Sequence, residues 1–134
     1  YVNRGAAKAK LGRMQEALDD LNKGLSLDPK WETGYLNRSI IFNQLGLYDK
    51  ALADVEMYLK FQPRNADLIY ESGRLYRALK QYETAISQYT KAIQLKPQTG
   101  LFFLERGKTY EILGNKTAAE QDYIQAQKLG QPMQ

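Results

Sequence analysis

The chain has 134 residues, 43% of them hydrophobic and 25% charged, with no cysteine, no histidine and a formal charge of +4. That is about one domain of ordinary globular composition, and it excludes a disulfide framework, thiolate or imidazole chemistry and the commonest zinc ligands. The positive excess is spread thinly, with six Lys and Arg against four Asp and Glu in residues 1–31, four against four in 32–65, five against three in 66–99 and four against four in 100–134; phosphate-binding stripes concentrate such charge on one face, so no nucleic-acid partner is expected.

No apolar run reaches the roughly 18 residues that span a bilayer, and no leader pattern is visible. Membrane insertion is therefore not expected, and a soluble, cytoplasmic chain is. The sequence opens at Tyr1 with a helical pattern already running, as expected for a processed chain or a piece of a longer polypeptide, with the first unit truncated at its start.

Taken in order, the apolar spacing predicts helices over 1–11 and 15–27, then 32–45 and 49–61, 66–79 and 83–95, and 100–113 and 117–129. In the third pair, Ile69, Gly73, Tyr76 and Leu79 recur at three- and four-residue steps, and Tyr82, Ala85, Ile86, Tyr89 and Ile93 do so after a break. The pairs repeat. Pro29, Pro63 and Pro97 are 34 residues apart, as are Leu11, Leu45, Leu79 and Leu113, the small residues Gly5, Ser39, Gly73 and Gly107, and Ala17, Ala51, Ala85 and Ala119.

Each column has a physical reading. Gly46 follows the last apolar residue of a helix, where positive φ closes the carbonyl end cheaply. Asp49 can offer oxygen to the free N–H groups of the next helix. Ser39 and Ala51 face each other across the hairpin, where a bulkier residue would overpack the contact at about 1–3 kcal/mol. Pro63 ends the unit because it lacks an N–H and restricts Gln62 before it.

One such hairpin cannot bury both apolar faces, so neighbours must stack, and a repeated small rotation winds them into a superhelix. At this point the sequence resembles the tetratricopeptide repeat (TPR) family. Tyr35, Ser39, Phe42, Leu45, Gly46, Tyr48, Ala51, Val55 and Pro63 lie at its signature positions, as do Gly73, Tyr76, Tyr82, Ala85, Tyr89, Ala92 and Pro97. The resemblance implies an all-α, right-handed α-α superhelix of four tandem helix-turn-helix units, about 1–31, 32–65, 66–99 and 100–134, forming a single domain.

There are departures. Lys80 stands where the third turn would have glycine, at a cost of roughly 1 kcal/mol if its φ is positive. Tyr58 stands in a column otherwise held by Gly24, Ala92 and Ala126, and Gln131 replaces the fourth proline, with Pro132 one place late. Trp31 reads as a wedge between units. Phe102 and Phe103 point about 100° apart on a helix, so one is expected in the core and the other exposed.

In this architecture the first helix of each unit packs with one face and lines a concave groove with the other. The groove columns are Val2, Leu36, Tyr70, Leu104; Asn3, Asn37, Glu71, Glu105; Ala6, Ile40, Arg74, Lys108; and Ala9, Asn43, Arg77, Glu111. The first two units offer asparagines beside apolar residues, suited to an extended peptide backbone. The last two offer Tyr70, Arg74, Arg77 and Lys108 among Glu71, Glu105 and Glu111. The candidate ligand-binding set is Asn37, Asn43, Tyr70, Glu71, Arg74, Arg77, Glu105 and Lys108. The competing reading of its second half is an internal mesh, since Glu71 and Arg74, like Glu105 and Lys108, are i, i+3 pairs.

One branch of the family clamps the acidic tail of heat-shock chaperones. Asn37 matches one clamp asparagine, but Val2, Ala6, Asp67 and Glu71 replace the other clamp residues, and two acids would repel that tail.

Catalysis has little support. Asp19 and Asp20 are neighbours that diverge on a helix, and no phosphate-cradling glycine motif is present. The resemblance implies a non-enzymatic scaffold that binds a partner protein or peptide in its groove, with no cofactor and no metal. Two other readings stay open: a homodimer through the terminal helices and Phe102 or Phe103, and an RNA-binding helical repeat, which the thin positive charge disfavours.

Overall fold

The computed structural model describes residues 2–130, with side chains from Lys10 onward. The expectations for the side chains of Val2, Asn3, Gly5, Ala6 and Ala9, and for Gln131 and Pro132, lie outside the described residues. Seven helices follow one another: α1 (Val2–Leu27), α2 (Glu32–Gln44), α3 (Tyr48–Phe61), α4 (Ala66–Ala78), α5 (Tyr82–Leu95), α6 (Gly100–Ile112) and α7 (Lys116–Lys128). Among the described residues there is no strand. From α2 onward each boundary falls within one residue of the predicted one.

The chain divides into two compact units, one running to Phe61 with α1 to α3 and the other starting at Gln62 with α4 to α7. In the first, α2 pairs with α3 and meets α1; in the second, α4 pairs with α5, α6 with α7, and α5 meets α6.

The turns are alike because the same backbone problem recurs. Gly46, Lys80 and Gly114 take φ of 77°, 63° and 83°. The next residue, Leu47, Gln81 or Asn115, then donates its N–H at 2.9 Å to the carbonyl of Phe42, Tyr76 or Tyr110, satisfying a carbonyl the helix end leaves free. Lys80 does so without glycine's conformational freedom, as the sequence suggests. Asp49 differs from expectation: it lies inside the first turn of α3, where its charge favours the positive end of the helix dipole. True side-chain caps come from Asn65 and Asn115, which accept from the N–H groups of Leu68 and Ala118, each at 3.2 Å.

The small columns set how closely each hairpin closes. A Cβ on Gly73 would lie 2.7 Å from the Tyr89 ring and 3.3 Å from the Ala85 carbonyl; on Gly107 it would lie 2.8 Å from Tyr123 and 3.2 Å from the Ala119 carbonyl. Ala51, Ala85 and Ala119 are buried opposite them, with Ser39 filling the small position of the second repeat.

One expectation fails. The helices predicted over 1–11 and 15–27 are a single helix, α1. Residues 6–18 are almost wholly the strongest helix formers, and Gly12, the one exception, stays helical at a cost of about 1 kcal/mol. Arg13 occupies the place of the capping Asn115 and offers no acceptor. The stretch before Gly12 also carries few large apolar residues, so folding it back would bury little. Local propensity wins there.

Trp31 behaves as a wedge. Its indole occupies the space where a side chain on Gly24 of α1 or Gly34 of α2 would be. Phe102 is buried, whereas Phe103 is half-buried instead of exposed, with the Arg106 guanidinium 5.5 Å from its ring centroid.

Candidate functional site

Each unit presents part of the candidate set. On α2, Asn37, Ile40 and Asn43 are all exposed at three-residue spacing and share one face. In the second unit, α4 carries Tyr70, Glu71, Arg74 and Arg77, and α6 carries Glu105 and Lys108. There the structure brings most of the set together.

Arg77 reaches across from α4 to α6. Its Nη2 donates to Glu105 Oε1 at 2.6 Å and its Nη1 to the Glu105 carbonyl at 3.4 Å. Burial alone would lower the Arg77 pKa; the hydrogen bond to Glu105 and the pull of Tyr89, the Glu105 charge and Tyr70 together outweigh it and hold the guanidinium above its ordinary value. Lys108 Nζ shares the same carboxylate, 3.4 Å from Oε2. Tyr70 is buried between two rings, with centroids 5.0 Å from Phe102 and 5.7 Å from Tyr89. Burial, reinforced by Glu105, raises its phenol well above the usual range. Tyr89 is pushed up to about 12, first by burial. Among the described residues its buried hydroxyl has no hydrogen-bond partner.

The set therefore sorts into two layers. Tyr70, Arg77 and Glu105 fasten α4 to α6. Above them lie Arg74, Glu71 and Lys108, whose side chains are 52%, 42% and 44% exposed. Arg74 and Glu71 approach only to 3.6 Å. Exposed pairs of this kind contribute about 0–1 kcal/mol, so their charges can exchange partners at little cost. Both i, i+3 pairs foreseen as a mesh form, yet the strongest tie, Arg77 to Glu105, spans 28 residues and is not foreseen. Leu101 and Ile112 are exposed on α6, and the spacing 101, 105, 108, 112 puts them on the side of Glu105 and Lys108. The face thus offers exchangeable donors and an acceptor between two apolar ends.

A second set was missed. Arg38 grips Asp54 through two bonds of 2.8 and 2.6 Å and donates to Asn22 at 2.9 Å. Arg106 grips Asp122 at 2.8 and 2.7 Å and donates to Thr90 at 3.2 Å. These pairs close the second and fourth hairpins. The signal was present: Arg4, Arg38 and Arg106, and Asp20, Asp54 and Asp122, follow the 34-residue period.

Among the described residues no group of His, Cys, Asp and Glu is arranged to hold a metal ion, and no helix is long and apolar enough to cross a membrane.

Comparison with known proteins agrees with this geometry. A family model described as TPR repeat matches residues 73–114, and one described as Tetratricopeptide repeat matches 1–30 and 102–129. Among solved structures, MamA 41-end from Desulfovibrio magneticus RS-1 superposes with a TM-score of 0.81 at 24% identity, over 93% of this chain and 71% of that one. MamA AMB-1 gives 0.82 at 22% identity, over 93% and 68%. At such identities the likeness is one of fold. No curated protein matches the chain in sequence.

Proposed function

The chain belongs to the tetratricopeptide repeat family, a family of protein-interaction scaffolds that typically act without catalysis, and from that premise we propose that the α4/α6 face takes a partner's peptide. Arg74 and Lys108 meet acidic or carbonyl groups of the peptide, Glu71 accepts from its N–H groups, and Leu101 and Ile112 seat apolar side chains at either end. In the first unit, Asn37 and Asn43 on α2 form a separate polar face that offers hydrogen bonds to an extended backbone. Arg77, Glu105 and Tyr70 act beneath, by holding α4 and α6 in place.

The observation that carries this reading is the layering: loosely paired, half-exposed charges lie over a tightly paired, buried tie. A rigid support under exchangeable groups lowers the ordering cost of binding. Self-association through Phe102 or Phe103 is less favoured, because one ring is buried and the other lies under Arg106.

The test is Arg74→Glu combined with Lys108→Glu in the full chain, with affinity measured for the physiological partner. Arg77 is left intact because its loss would loosen the support. A drop of about tenfold or more is expected from reversing two interfacial charges. Unchanged affinity in a normally folded variant would move the site elsewhere.

A further inference from the structure

The first repeat carries the residues of a hairpin without forming one. In the second and fourth repeats, Arg38 and Arg106 pair with Asp54 and Asp122, and both aspartates are buried. Ala51, Ala85 and Ala119, which face the small residue of the partner helix, are buried as well. The corresponding residues of α1 are Asp20 and Ala17; Asp20 is exposed and Ala17 only half-buried. Leu27 is 80% exposed, whereas Phe61 and Leu95 in its column are half-buried. The second half of α1 thus buries Leu18, Leu21 and Leu25 and leaves bare the face that a paired helix covers in the other repeats.

The 34-residue period assigns that face to residues 1–11, with Arg4 in the column of Arg38 and Gly5 in the column of Ser39. Within one copy they do not reach it. α1 runs unbroken from Val2 to Leu27, which sets the backbones of residues 4 and 20 about 24 Å apart. A second copy meets the requirement. Two α1 helices laid antiparallel, with their midpoints at residues 11–12, bring Arg4 of each against Asp20 of the other and Gly5 of each against Ala17. The crossing falls at Gly12, where a Cβ would meet nothing within 4 Å, so the backbones have room to approach.

We propose that α1 is an exchange surface between two copies of this chain, the first half of each α1 completing the first repeat of the other. The exchange is isologous, so every contact forms twice. Folding back would cover the bare face once and break α1 at Gly12; the exchange covers it in both copies and keeps each helix intact. Charge and shape select this occupant: a cation for Asp20 and, one residue on, a side chain small enough for Ala17. The surface lies wholly in the first unit, so its failure would leave the α4/α6 reading standing.

The test is sedimentation of the full chain over a wide range of concentration, then a charge swap. A dimer of twice 15.4 kDa is expected. Asp20→Arg should weaken it about a hundredfold or more, because two like-charged contacts arise at once, and adding Arg4→Asp to that variant should restore it. A chain without native cysteine also permits cross-linking. Mixed under mild oxidation, Gly5→Cys and Ala17→Cys chains should give a covalent heterodimer, since their backbones come within disulfide reach, and a mixture of Gly5→Cys and Lys23→Cys chains should give little. A monomer at every concentration, a dimer indifferent to Asp20→Arg, or equal yields from the two mixtures would overturn the proposal. So would a chain carrying both Gly5→Cys and Ala17→Cys that closes only on itself, the mark of residues 1–11 folding back at Gly12.

Discussion

The third and fourth repeats solve the same packing problem with different chemistry. In the fourth, Arg106 and Asp122 form a two-bond ion pair with side chains 18% and 6% exposed. At the same two positions the third repeat has Ser72 and Gln88, joined by one bond of 2.9 Å, and Ser72 also donates to the Ile69 carbonyl. The turn differs too: Gly114 in the fourth, Lys80 in the third, both at positive φ. The repeat therefore demands a polar link between its helices and a left-handed turn residue, but not a particular charge or side chain. What differs is the penalty for losing them.

That penalty is the sharpest way to break the comparison. Asp122→Ala would leave the partly buried Arg106 guanidinium without its carboxylate, a loss of about 1.5–3 kcal/mol. Gln88→Ala removes one neutral bond and should cost about 1 kcal/mol. Urea unfolding of both variants reads the difference, and equal losses would show that the ion pair is no more than a hydrogen bond. The turns come next. Lys80→Gly should stabilise the chain by roughly 1 kcal/mol, and Gly114→Lys should destabilise it by a similar amount. Thermal midpoints moving in opposite directions would confirm that the two turns are equivalent.

The smallest effect concerns two tyrosines in one column. Among the described residues Tyr89 has no partner for its hydroxyl, so Tyr89→Phe should be nearly neutral at pH 7, while Tyr123→Phe gives up its bond to Glu111 and about 0.5–1 kcal/mol. Alkali adds a signature. Burial holds the folded Tyr89 phenol near 12, against the ordinary 10. Above pH 10 the unfolded chain loses this proton while the folded chain keeps it, so stability intact below 10 falls as pH rises toward about 12. Tyr89→Phe should flatten that fall in a denaturation series over the same range.

The fold was legible from 32 onward because its determinants are local. Apolar spacing fixes α2 to α7, and the glycine and leucine columns fix the turns. Even the strained Lys80 follows from its register alone. The first repeat was not legible, because the same columns place a turn at Gly12 without weighing how little the preceding residues bury or how strongly their neighbours favour helix. The candidate site was half legible. Periodicity identified Arg74, Arg77, Glu105 and Lys108, but not that Arg77 and Glu105 would find each other across 28 residues. The Arg–Asp pairs escaped for the opposite reason: they obey the period, yet charged residues in an amphipathic helix are read as facing water.

The chain has one tryptophan, and its indole fills the gap between Gly24 and Gly34 where α1 meets α2. Its fluorescence is therefore a built-in gauge of that junction. Events that part those two helices would redden the emission, whereas rearrangements confined to α4 through α7 would leave the colour unchanged and show only in the tyrosines.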